Sequence, residues 1–138
     1  MKIARTILLG SLLVATSLFA SDVKSGEALF KEKCAVCHLT QPPEDMSTLV
    51  APPLFGVMRH VKMKYENKEE ALAFMRDYVM NPDAKKAVCM PMKLKRFGVM
   101  PSQKGNVTPE ELAEITEWMY DNFPPKNFQG GMMRMQQQ

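Results

Sequence analysis

The 138-residue chain holds only two histidines, three cysteines and one tryptophan, and no strand-like alternating run flanks its cysteine pair. A closed zinc site needs four Cys or His ligands at close spacing. Beyond Cys34, Cys37 and His38 only His60 and Cys89 remain, far apart in sequence. A thioredoxin-like dithiol needs a βαβ setting, and the alternation that would mark its strands is missing. Apolar runs are short: Ile7 to Ala20 spans fourteen residues and includes Gly10, Ser11, Thr16 and Ser17, short for a membrane span. No cysteine follows that run, so no lipid anchor is expected there. The formal charge of +3 carries no basic excess that calls for nucleic acid.

One run of five residues outweighs these shortages. Cys34-Ala35-Val36-Cys37-His38 has the Cys-x-x-Cys-His form of a c-type haem attachment sequence. On a helical turn, thiols three residues apart share a face and can form thioethers with the two haem vinyl groups. The imidazole of His38 then falls against the iron as the proximal ligand. One covalent haem c is the expected cofactor.

Residues 1–20 read as a cleaved signal peptide: Lys2 and Arg5, then the apolar run, then small residues, with cleavage after Ala20. An uncleaved N-terminal anchor is the alternative, since Leu18 is not the small residue preferred before such a cut. Cleavage leaves 118 of the 138 residues and a net charge of about +1. Residues 21–128 are enough for one monohaem domain with no stable membrane insertion. The last ten residues, 129–138, contain Gly130-Gly131 and three terminal glutamines and are expected to be a disordered Met/Gln-rich tail.

Three helices are expected, and the fold class is all-α. The first runs from about Asp22 to Cys34 with Ala28, Leu29 and Val23 or Phe30 at helical spacing, and leads into the haem motif. The second starts near Asn67, where Asn67 and Glu70 have capping-box spacing, carries Ala71, Leu72, Met75, Tyr78 and Val79, and stops at Asn81-Pro82. Thr108, Pro109 and Glu111 open the third, whose expected buried face is Leu112, Ile115, Trp118, Met119 and Phe123, with Pro124-Pro125 ending it.

Gly26, Phe30, the Cys34–His38 motif, Ala51-Pro52-Pro53-Leu54-Phe55-Gly56, Met100-Pro101 and the Ile115–Met119 stretch together resemble class I cytochrome c over nearly all of the mature chain. The resemblance implies N- and C-terminal helices that cross closely, with Gly26, Phe30 and Trp118 at the crossing. The lack of a side chain at Gly26 suits such an approach. It also implies that the Pro52 carbonyl accepts a hydrogen bond from His38, orienting the ring and increasing its basicity. Ala51 stands where the family usually has glycine.

For the sixth ligand, Met100 in its Met-Pro loop resembles the family's axial methionine, 62 residues after His38. Met90 or Met92 beside Pro91, and His60, are the alternatives. Cys89 is left over from the haem motif and is expected to be buried; an intermolecular disulfide and a thiolate ligand are the other options. Cys89-Met90-Pro91-Met92 and Met132-Met133-Arg134-Met135 are soft-sulfur runs that raise copper binding without matching a closed site.

Lys85, Lys86, Lys93, Lys95, Arg96 and Lys104 crowd one acid-free stretch, whereas residues 108–121 carry five acids and no base. That asymmetry suits docking of redox partner proteins through an acidic surface. The resulting expectation is a periplasmic one-electron carrier with His/Met ligation and no catalytic residues. A cytochrome subunit of an oxidoreductase complex, for example one oxidising a sulfur compound, and a haem-based gas sensor are the two alternatives.

Overall fold

A computed structural model describes residues 24–128. Five helices follow in order: α1 (Gly26–Lys33), α2 (Leu54–Lys64), α3 (Lys68–Met80), α4 (Pro91–Phe97) and α5 (Pro109–Asn122), with a short 3-10 turn at Met46–Thr48. Among the described residues there is no strand beyond one isolated bridge between Lys104 and Val107. The expected signal peptide 1–20, residues 22–23 of the first expected helix, and the tail 129–138 with its methionine run lie outside the described residues.

The helix ends follow from local chemistry. The side chains of Ser25, Asn67 and Thr108 each accept a hydrogen bond from a first-turn amide that has no partner inside its own helix. At α5 the cap is reciprocal. The Glu111 amide donates to Thr108 Oγ1 at 3.2 Å, and the Thr108 amide donates to Glu111 Oε2 at 3.0 Å. That second bond holds the Glu111 carboxyl below its ordinary value of 4.5, with help from Lys33 at 3.3 Å. The tie is therefore present above about pH 4.5 and is lost as pH falls through the lowered value. Thr108→Ala should remove about 1 kcal/mol of stability in urea unfolding at neutral pH, with the fold retained.

Packing is organised on α5, which meets both α1 and α3. Gly26 makes the first contact possible: a Cβ there would collide with the Glu114 carbonyl oxygen and come within 2.7 Å of Trp118 Cβ. One turn on, the Phe30 ring lies against Trp118 with centroids 5.2 Å apart. Lys68 fastens α3 to α5 through Glu117 at 2.8 Å and Asp121 at 2.7 Å. These ion pairs are partly exposed, so they add little beside the apolar contacts.

Phe30, Leu54, Met58, Val61 and Ile115 are the largest fully buried apolar side chains. On α5 the buried face is Leu112, Ile115 and Thr116, whereas the expected Trp118, Met119 and Phe123 are half-buried. Thr116 can sit inside because its hydroxyl donates to the Leu112 carbonyl at 2.9 Å and accepts from Arg76 Nε at 3.2 Å. On α1 Leu29 and Phe30 are buried while Ala28 is exposed.

Two helices were not expected. Leu54, Met58 and Val61 give α2 its buried stripe, and Pro91 at the first position starts the seven-residue α4.

Candidate haem site

The chain leaves α1 in a tight turn. The Cys37 and His38 amides both donate to the Cys34 carbonyl, at 3.1 and 3.0 Å. The next fifteen residues form a loop closed at its base, where the Leu54 amide donates to the Leu39 carbonyl at 2.8 Å. Beside that closure His38 Nδ1 lies 2.8 Å from the Pro52 carbonyl oxygen. A carbonyl can only accept, so Nδ1 carries the proton, and in the neutral ring Nε2 keeps its lone pair. Burial pushes the His38 pKa down more strongly than the Pro52 bond raises it, which favours that neutral ring.

Cys34, Cys37, His38 and Met100 all line one cavity of about 320 Å³. Its remaining wall is chiefly apolar and comes from every helix except the exposed faces: Leu54 and Val61 of α2, Met75 of α3, Leu94 of α4 and Ile115 of α5 are examples. No carboxylate lines it, and Lys33 and Lys93 contribute positive charge. The acids of α5 are partly occupied instead by Lys33, Lys68 and Arg76.

No disulfide joins the three cysteines. Burial pushes Cys34 up to about 11, so it stays protonated at neutral pH. A redox dithiol needs the opposite, a thiol lowered at a helix N-terminus or beside a cation. Cys34 stands instead at the C-terminal cap of α1, where the helix field disfavours an anion.

Among the other ligand candidates, His60, Met90 and Met92 do not line the cavity, and both methionines are exposed. Cys89 does line it and is half-buried rather than enclosed. Burial raises its pKa. In the native protein Cys89 should therefore react with a thiol reagent well below the rate of an exposed cysteine, and reach one full equivalent on unfolding. Among the described residues no group of three or more His, Cys, Asp or Glu side chains is placed to hold a bare metal ion.

The residues fit a covalent haem. Two unpaired thiols sit on one turn, an oriented imidazole follows them, a thioether lines the same space, and the lining is apolar with positive charge for the acid groups of the porphyrin. The contribution of α2 to that lining was missed with the helix itself; Leu54, Val57 and Val61 at helical spacing were the available signal.

An all-α fold closed on such a site is that of a c-type cytochrome, whose role is haem-based electron transfer. The model of the family described as cytochrome c oxidase, cbb3-type, subunit III, matches residues 21–119, and the chain belongs to that family. It is 34% identical over 132 residues to an uncharacterised protein of Aquifex aeolicus (strain VF5), covering 84% of this chain and 87% of the relative. No solved structure matches the chain.

Proposed function

We propose that the protein is a periplasmic carrier of single electrons, exported by residues 1–20 and holding one haem c. The observation that carries this reading is the meeting of Cys34, Cys37, His38 and Met100 on one apolar cavity. When bound, the haem supplies the one-electron Fe(III)/Fe(II) couple. Cys34 and Cys37 would tether it by adding their thiols across its two vinyl groups to form thioethers. His38 offers Nε2, held in place by the Pro52 carbonyl on Nδ1. Met100, on the same cavity wall, would offer its thioether sulfur to the iron and so compete with exogenous ligands. The apolar lining excludes water, which limits the solvent rearrangement that accompanies each change of charge.

Exposed Lys85, Lys95 and Lys104 and half-buried Lys93 favour an acidic redox partner, whose association should weaken with added salt. The family's description favours a second reading, in which the chain works as the cytochrome subunit of an oxidoreductase complex. Purification from native membranes and periplasm separates the two: a free monomer fits the carrier, a stable larger assembly fits the subunit.

The deciding experiment is the visible spectrum of the full-length ferric holoprotein, with an alkaline pyridine assay for haem content. One thioether-linked haem per chain and a weak far-red sulfur-to-iron band are expected. Absence of that band together with carbon monoxide binding by the ferrous protein would sink His/Met ligation and favour a gas sensor.

A further inference from the structure

We propose that Arg96 is the positioning residue for Met100, a strap that ties the arm carrying the methionine to the loop that follows His38. This rests on the reading of Met100 as an axial ligand. Apart from Leu94, Phe97 and Val99, which line the cavity and would pack against a bound haem, the arm has few ties of its own. None of the residues of α4 is buried, and α4 makes no extensive contact with another helix. Among the described residues, the only hydrogen bonds that link residues 90–99 to the rest of the protein come from Arg96.

Those bonds reach a firm anchor. Arg96 Nη2 lies 2.6 Å from the Met46 carbonyl and 3.4 Å from the Ser47 carbonyl. Both acceptors belong to the 3-10 turn, which Asp45 stiffens by accepting from the Ser47 amide and the Thr48 hydroxyl, each at 2.7 Å. The loop around that turn is closed at Leu39–Leu54 and at His38–Pro52. The guanidinium also lies 4.6 Å from the centroid of the Phe97 ring, which lines the cavity. Arg96 thus joins the stretch of wall bearing His38 to the stretch bearing Met100.

Downstream of Met100 the chain is fixed independently. Ser102 Oγ donates to the Met80 carbonyl at 2.6 Å, and the Gln103 amide donates to the Val79 carbonyl at 3.0 Å. Met100 is therefore held between a hydrogen-bonded end on α3 and an end whose only hydrogen bonds to the rest of the described residues come from one arginine. A neutral thioether is a weak ligand, so its occupancy of the iron depends on how seldom this arm opens. Charged donors to backbone carbonyls are shorter and stronger than neutral ones, which suits Arg96 to that work.

The test uses the full-length ferric holoprotein with imidazole as the competing ligand. Arg96→Ala should admit imidazole about five- to tenfold faster than the wild type, the size expected for one ordinary net hydrogen bond at an exposed side chain. Arg96→Lys should fall between, because an ammonium reaches one carbonyl without the planar fork. Met46→Ala and Ser47→Ala should leave the rate unchanged, since their main-chain oxygens are the acceptors. Amide exchange should quicken in residues 91–100 of Arg96→Ala and stay as in the wild type in α1 and α5. A wild-type imidazole rate in Arg96→Ala, or exchange that quickens equally in all three regions, would overturn the strap. If the wild type shows no methionine band, the ligand reading fails by itself, and the exchange result at 91–100 still decides whether Arg96 holds the arm.

Discussion

Gly26→Ala should destabilise the protein by about 2–3 kcal/mol, at the upper end of what overpacking costs a core. The added methyl meets the Glu114 carbonyl oxygen and Trp118 Cβ. Both belong to or begin from the backbone of α5, so neither can swing aside as the tip of a long side chain would. The helices must separate or shift, and Phe30 against Trp118 loses its contact. Alanine is favoured over glycine inside a helix by up to about 1 kcal/mol. Gly26 is only the first helical residue, so little of that gain applies. Urea unfolding of the holoprotein, followed by Trp118 fluorescence and by far-ultraviolet circular dichroism, measures the loss. Stability equal to wild type would mean that α1 and α5 do not approach as closely as described.

Met100→His should lower the midpoint potential by on the order of 0.1–0.3 V, a fraction of the roughly 0.8 V that axial ligands span in haem proteins. A thioether favours the ferrous state, whereas a second imidazole is the stronger donor to ferric iron. Position 100 is suited to the exchange. It lines the cavity, and the bonds of Ser102 and Gln103 to α3 would hold the new ring near the place of the old sulfur. Cys34 and Cys37 are untouched, so haem content should be retained. Potentiometric titration reads the shift, and the far-red band should vanish with it. A midpoint unchanged from wild type would remove Met100 from the iron.

Much of this was legible in the sequence where chemistry is local. Thr108, Pro109 and Glu111 announce α5 because a cap, a proline and a returning carboxylate act within one turn. Asn67 marks α3 in the same way, and the Cys34–His38 run needs no tertiary context to be recognised. By contrast, α2 was hidden. Pro52-Pro53 before it and Gly56 inside it read as loop, and Arg59, His60, Lys62 and Lys64 break its apolar pattern; only Leu54, Met58 and Val61 are buried. For α4, seven residues with no buried position give periodicity nothing to detect, and Pro91 looks like a breaker although it opens the helix. Thr116 did not stand out because a polar side chain is expected outside, whereas here its hydroxyl bonds back to the Leu112 carbonyl and also accepts from Arg76, forty residues earlier. Arg96 looked like one more basic residue in a charged run, since nothing local reveals that it reaches Met46.

The docking of α1 on α5 joins the first described helix to the last. A chain emerging N-terminus first cannot make that contact until residues 109–122 have appeared, and contacts so distant in sequence form late. The turn bearing Cys34 and Cys37 directly follows α1, so the cavity wall beside it is completed only when α5 docks. A haem joined to those cysteines would have its widest opportunity to attach before that docking, and the last described helix would then close the wall beside it.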